Sequence, residues 1–172
     1  MRRVAPVVFL LLIACAIGSY GAKSTKSAKP PWPKYTGAFF TVDYPPGFSV
    51  RPSMRVTDPK DACESAFFTS PDKSVEFYVF GPRWDGDAKD IAVNARSEVK
   101  VSQKTVKEKS GSTRWVTIRA KDGSYTRSIV AKLNKRGGTY LALQFKYANQ
   151  QSYAKYKSDY ARFKASVRVI GE

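Results

Sequence analysis

From residue 38 to residue 80 the hydrophobic positions fall in short runs with a two-residue period, the spacing of strands that bury one face. Residues 38–44 are rich in β-forming side chains and end at Pro45, Pro46 and Gly47, a turn. Residues 48–51 alternate and predict a second strand, residues 57–61 a loop, and residues 63–69 a third strand. A turn at 70–73 leads to a fourth strand at 75–80, closed by Gly81 and Pro82. The period then lengthens. Ile91, Ala95 and Val99 are spaced i, i+4, i+8, which predicts an amphipathic helix over 87–99 with Asp85 or Asp87 capping its start. Strands resume at 101–109 and 114–119, the latter with Trp115 and Thr117 on one face and Val116 and Ile118 on the other. Asp122-Gly123 predicts a tight hairpin into 125–133. After a turn at 135–138, the mostly apolar run 139–145 predicts a central strand. Tyr153, Tyr156, Tyr160, Phe163 and Val167, spaced 3, 4, 3 and 4, form the core-facing stripe of a last helix at 151–166. The expected class is α+β, a mostly antiparallel sheet with both helices packed on it, in one domain over 35–172.

The N-terminus has a different pattern. Arg2 and Arg3 precede a run from Val4 to Ile17 that is apolar except for Pro6, and no charge returns until Lys23. This is the pattern of a secretory signal, and the run is short for a membrane span. Leu12-Ile13-Ala14-Cys15 closes it and resembles the bacterial lipoprotein box. That resemblance implies cleavage after residue 14, a lipid on Cys15, and attachment to a membrane on the outer or periplasmic side. Ordinary cleavage near Ser19-Tyr20-Gly21 or Ala22, giving a soluble secreted protein, is the alternative. Residues 15–34, polar and then Pro-rich, have the composition of a tether.

Charge narrows the partners. Thirty Lys and Arg against 14 Asp and Glu give a net charge of +16, which favours anionic partners such as lipid headgroups, lipopolysaccharide, cell-wall polymers or DNA. Basic residues beside or near aromatic ones mark candidate polyanion contacts: Lys34, Arg83, Arg114 and Lys146, with Lys155, Lys157, Arg162 and Lys164 lying off the core stripe of the last helix. No nucleic-acid motif accompanies them, so an envelope polymer, a membrane or a protein is the expected partner.

The chemistry is limited. There is no histidine, so the Ser-His-Asp and Cys-His nucleophile systems and the commonest metal ligand are missing. No Gly-rich phosphate loop occurs, and no metal or cofactor is expected. Asp85, Asp87 and Asp90 faintly match a calcium loop, but Lys89 and Arg96 stand where further ligands belong. Cys63 reads as a small buried hydrophobe. The chain reads as non-enzymatic.

Several segments resemble the PsbP-like superfamily, which takes in PsbP, DcrB-type lipoproteins and Mog-type Ran-binding proteins. They are Phe39-Phe40-Thr41-Val42-Asp43-Tyr44-Pro45-Pro46-Gly47-Phe48, the run Ala66-Phe67-Phe68-Thr69-Ser70-Pro71-Asp72 followed by Val75-Glu76-Phe77, the Asp122-Gly123 hairpin, and the aromatic last helix with Ser166-Val167. The resemblance implies an αβα sandwich around an antiparallel sheet. It implies no single function and carries over no site residue. The photosynthetic members have an acidic, polar segment after the second hairpin that is absent here, which counts against a photosystem role.

Overall fold

A computed structural model of the chain describes residues 30–53, 63–82 and 86–170. The signal, Cys15, most of the tether, the 57–61 loop, Arg83 and Asp85 lie outside the described residues.

Seven strands form one antiparallel sheet in the order β3-β4-β5-β9-β8-β7-β6. They are β3 (Ser49–Pro52), β4 (Ser65–Thr69), β5 (Val75–Phe80), β6 (Glu98–Glu108), β7 (Gly111–Ala120), β8 (Thr126–Asn134) and β9 (Thr139–Tyr147). A second sheet, in the order β1-β2-β10, joins β1 (Lys34–Thr36), β2 (Phe40–Asp43) and β10 (Arg168–Val169). Thus β2 pairs with residues near both ends of the domain. β9, the apolar run, lies between β5 and β8, as its composition predicts.

One helix, α1 (Gln150–Ser166), packs against β2, β5 and β9. The side chain of Asn149 accepts the Ser152 N–H at 2.9 Å and caps its start. Tyr156 and Phe163 are buried beneath it, and Tyr153 and Tyr160 are half-buried beside them. Phe77 is the centre of this core: its ring centroid is 5.1–5.2 Å from those of Phe48, Phe145, Tyr160 and Phe163. Trp32 also packs onto this core, just before β1 begins. Cys63 is buried, as expected of a small apolar residue.

The expected α+β class with a mostly antiparallel sheet is what forms, but the helix expected at 87–99 does not. That segment makes a single 3-10 turn, Lys89–Ile91, and then enters β6 at Glu98. The cause is tertiary. The carbonyls of Ile91 and Ala92, which a helix would direct at its own N–H groups, instead accept the Arg127 guanidinium at 2.7 and 2.9 Å. The Asn94 N–H goes to the Glu98 carboxylate, and the Asn94 side chain accepts the Arg96 N–H. Asp87 therefore caps no helix. The sheet face opposite α1 is covered by this irregular segment, with Ile91 packed on Phe67, Tyr78, Phe80, Ala131 and Ala142.

Candidate functional site

The cover over the second face is fastened by Arg127. Its five N–H donors all have acceptors: both Glu98 oxygens, Gln144 Oε1, and the Ile91 and Ala92 carbonyls, at 2.7–2.9 Å. The ion pair with Glu98 is 2.7 Å long and almost wholly buried. Burial alone raises the Glu98 carboxyl, but the bonds from Arg127, the Asn94 N–H and the Tyr125 hydroxyl lower it to about 2. Beside it, Asp90 accepts from the Tyr78 hydroxyl at 2.9 Å and the Ser65 hydroxyl at 3.1 Å. Burial and then the Asp90 charge push the Tyr78 hydroxyl far above its ordinary range. These groups form a structural lock in which all five Arg127 donors and both Glu98 oxygens are engaged, while the exposed Asp90 takes both of its bonds on one oxygen. Asp90 ties β4 and β5 to the 86–97 segment through these two hydroxyls.

The lock holds the 86–97 segment over β9 and β8 but leaves the neighbouring part of the face open. A cleft of about 230 Å³ results. Its floor is Val116, Ile118, Ile129, Ala131 and Ala142, and one wall is Ala88, Ile91 and Val93. Lys100, Gln103 and Arg114 stand at the hairpin side. Ile118 and Ala142 have no exposed surface, and Ala131 is buried.

The β6–β7 hairpin is the most basic element of the domain. Residues 98–121 carry seven Lys or Arg against Glu98 and Glu108. Glu98 is consumed by Arg127, and Glu108 accepts the Thr113 hydroxyl at 2.7 Å. Every residue of β6 after Glu98 is exposed. The register sets Lys104 beside Trp115 and Val99 beside Arg119 on the helix side of the sheet. α1 does not extend over β7, so Trp115 stays 42% exposed. On the opposite side lie Lys100, Lys107 and Arg114. Among the described residues, none of Lys104, Lys107, Lys109, Arg114 and Arg119 is within ion-pair distance of a carboxylate. Lysines along a free sheet edge also keep it from pairing with another edge.

The candidate contacts named from sequence are spread over several surfaces. Arg114 is on the hairpin. Lys146 sits over the Tyr125 ring, 4.4 Å from its centroid. Lys155 bonds Asp72 at 2.7 Å. That ammonium, with the Ser70 and Ser74 hydroxyls, holds the Asp72 carboxyl far below the usual carboxylate range. Lys157 and Lys164 are exposed on α1. Lys34 and Arg162 come together with Arg168 in a notch that also holds Asp43 and Ser166. The Arg162 guanidinium lies over the Trp32 ring, 4.2 Å from its centroid. The sequence reading missed Lys100, Lys104, Lys107, Lys109, Arg119 and Arg168. Reading 98–121 as one long hairpin would have found all but the last, because the charge excess appears only when both strands are counted together.

Fold and site together define an antiparallel α+β domain with a polar lock inside, an apolar cleft on one face and a basic hairpin at one edge. No family model matches the chain, and no curated protein matches it. Among solved structures it is similar to cyanobacterial PsbP (CyanoP) from Synechocystis, with a TM-score of 0.48 and 12% identity over 88% of this chain and 99% of that one. It is also similar to the Saccharomyces cerevisiae Ran-binding protein Mog1p, with a TM-score of 0.40 and 8% identity over 81% of this chain and 96% of that one. A protein from Bacteroides thetaiotaomicron aligns with a TM-score of 0.38 and 16% identity over 84% of this chain and 50% of that one. These likenesses concern the course of the backbone.

Proposed function

We propose that this chain is an exported lipoprotein whose single domain is a non-enzymatic binding module, held at a cell envelope by a lipid on Cys15 and directed to anionic surfaces by the β6–β7 hairpin. The observation that carries the binding reading is the hairpin: an exposed element whose cations have no carboxylate partners among the described residues, while Glu98 and Asp72 are paired with Arg127 and Lys155 elsewhere. The export reading is supported by the apolar run closed by Leu12-Ile13-Ala14-Cys15 and by the polar stretch after it. The absence of histidine from the sequence and the full engagement of the Arg127 and Glu98 side chains support a non-catalytic role. The notch of Lys34, Arg162 and Arg168 lies beside Trp32, where the tether would join the domain, so a second basic patch stands near the membrane end.

Co-sedimentation of the full chain with anionic and zwitterionic vesicles tests the reading. Binding to anionic vesicles should fall steeply between about 50 and 200 mM salt and should weaken in a Lys104→Glu, Lys107→Glu, Arg119→Glu variant. Salt-independent binding, or an unaffected variant, would remove the hairpin from the account. Mass spectrometry of the mature N-terminus in a bacterial host decides the lipid separately. An unmodified N-terminus at Ala22 or Lys23 would overturn it.

A further inference from the structure

We propose that the cleft opposite α1 is a binding site for a single-chain amphiphile with an anionic head, its alkyl chain on the sheet and its head between Lys100 and Arg114. This goes beyond the proposed function, since it needs neither the lipid on Cys15 nor Lys104, Lys107 and Arg119 of the hairpin.

The first ground is the chemistry of the walls. The floor is aliphatic throughout, and the two alanines Ala131 and Ala142 set its depth. Sheet faces are usually filled by larger side chains; here β8 and β9 place small residues side by side, Ala131 opposite Ala142 in the register. The 86–97 segment is too short to cover all of the face, because Arg127 pins its carbonyls over β8 and β9. An apolar trough about 230 Å³ in volume is left beside it. Such a trough, small beside the roughly 300–1,000 Å³ of ordinary ligand sites, fits a slim chain and not a ring system.

The second ground is the polar rim. Among the described residues the cleft's cations are Lys100 and Arg114, both on the hairpin side, and the Lys100 Nζ is held by Gln103 Oε1 at 2.9 Å. The lining carboxylate, Asp87, belongs to the wall formed by the 86–97 segment and makes no ion pair with either cation. An apolar floor with cations on one rim and a carboxylate on the other wall orients an amphiphile one way, with its anionic head at the hairpin. A carboxylate and a phosphate satisfy Arg114 equally well in kind, since the guanidinium fork matches both.

The test is calorimetric titration of the full chain with straight-chain carboxylates from hexanoate to decanoate, below their micellar concentrations. Decyl phosphate distinguishes the two head chemistries. Affinity should rise about fourfold with each added methylene until the trough is full, because burying one methylene changes an equilibrium by that factor. Decanol should bind at least about tenfold more weakly than decanoate, and replacing Lys100 and Arg114 by Ala should abolish that difference. A Val116→Trp variant, which fills the floor from a half-buried position, should lose decanoate binding while its melting temperature stays near that of the parent. Affinity independent of chain length, decanol bound as tightly as decanoate, or unchanged binding by Val116→Trp would each overturn the site. The hairpin variant Lys104→Glu, Lys107→Glu, Arg119→Glu should keep decanoate binding, which separates failure of this site from failure of the vesicle-binding reading.

Discussion

Arg127 and Glu98 are separated by 29 residues in the chain and joined by two hydrogen bonds in the fold. Neither stands out in the sequence, where both read as ordinary strand or helix residues. Their pairing is buried, so removing one partner leaves a charge without solvent or counter-ion. Arg127→Met should therefore destabilise the domain by about 3–5 kcal/mol, while the double variant Arg127→Met, Glu98→Leu should recover much of the loss. Urea unfolding of Arg127→Met, Glu98→Leu and the double variant measures this, and a double-variant loss equal to the sum of the two single losses would show that the two residues act independently. The same carboxyl sets an acid limit. Its folded value of about 2 lies below its ordinary 4.5, so its stabilisation is complete above about pH 4.5 and is lost as pH falls toward 2. The amount is on the order of 3 kcal/mol. A stability-versus-pH curve should drop across that window, and Glu98→Gln should flatten it.

At the scale of elements, local chemistry and register decide different things. The β7–β8 hairpin forms at Asp122-Gly123 as its turn signal predicts, with Gly123 at φ 75° and the Asp122 carboxylate accepting the Ser124 N–H at 2.9 Å. The β6–β7 junction is more constrained. Gly111 has φ 156°, and a Cβ there would run into the Leu133 carbonyl oxygen on β8, whereas a Cβ at Gly123 would meet nothing. Gly111→Ala should thus cost clearly more than Gly123→Ala, whose penalty is about 1–2 kcal/mol for the left-handed backbone alone. Thermal melts of the two variants check the order. α1 was legible because its aromatic stripe repeats over four turns; the Asn149 cap emerged only in the structure. The segment 87–99 shows the converse. Three apolar residues at helical spacing lost to a guanidinium that claims two of the carbonyls the helix needed.

Over the whole molecule the charge is unevenly spent. Acidic groups such as Asp72, Asp90 and Glu98 tie elements together, while the basic hairpin faces outward. Charge reversal at Lys104, Lys107 and Arg119 should leave stability within about 0.5 kcal/mol, since these are exposed positions without partners, yet should change association with anionic surfaces. Equilibrium unfolding alongside the vesicle assay separates the two effects. The sequence alone determined the strands from β2 to β9, the last helix, the antiparallel class and the overall basic character, because period, turn residues and charge are local or additive quantities; the short β1 and β10 were not among its expectations. The tertiary structure alone decided that 87–99 is not a helix, that the cleft exists, and which cations share a surface. Those depend on which distant residues meet: Arg127 with Ile91, Ala131 with Ala142, and Lys34 with Arg162. The alanine pair is a product of sheet register and the other two of how a loop and a helix pack on the sheets, and no local pattern along the chain encodes either.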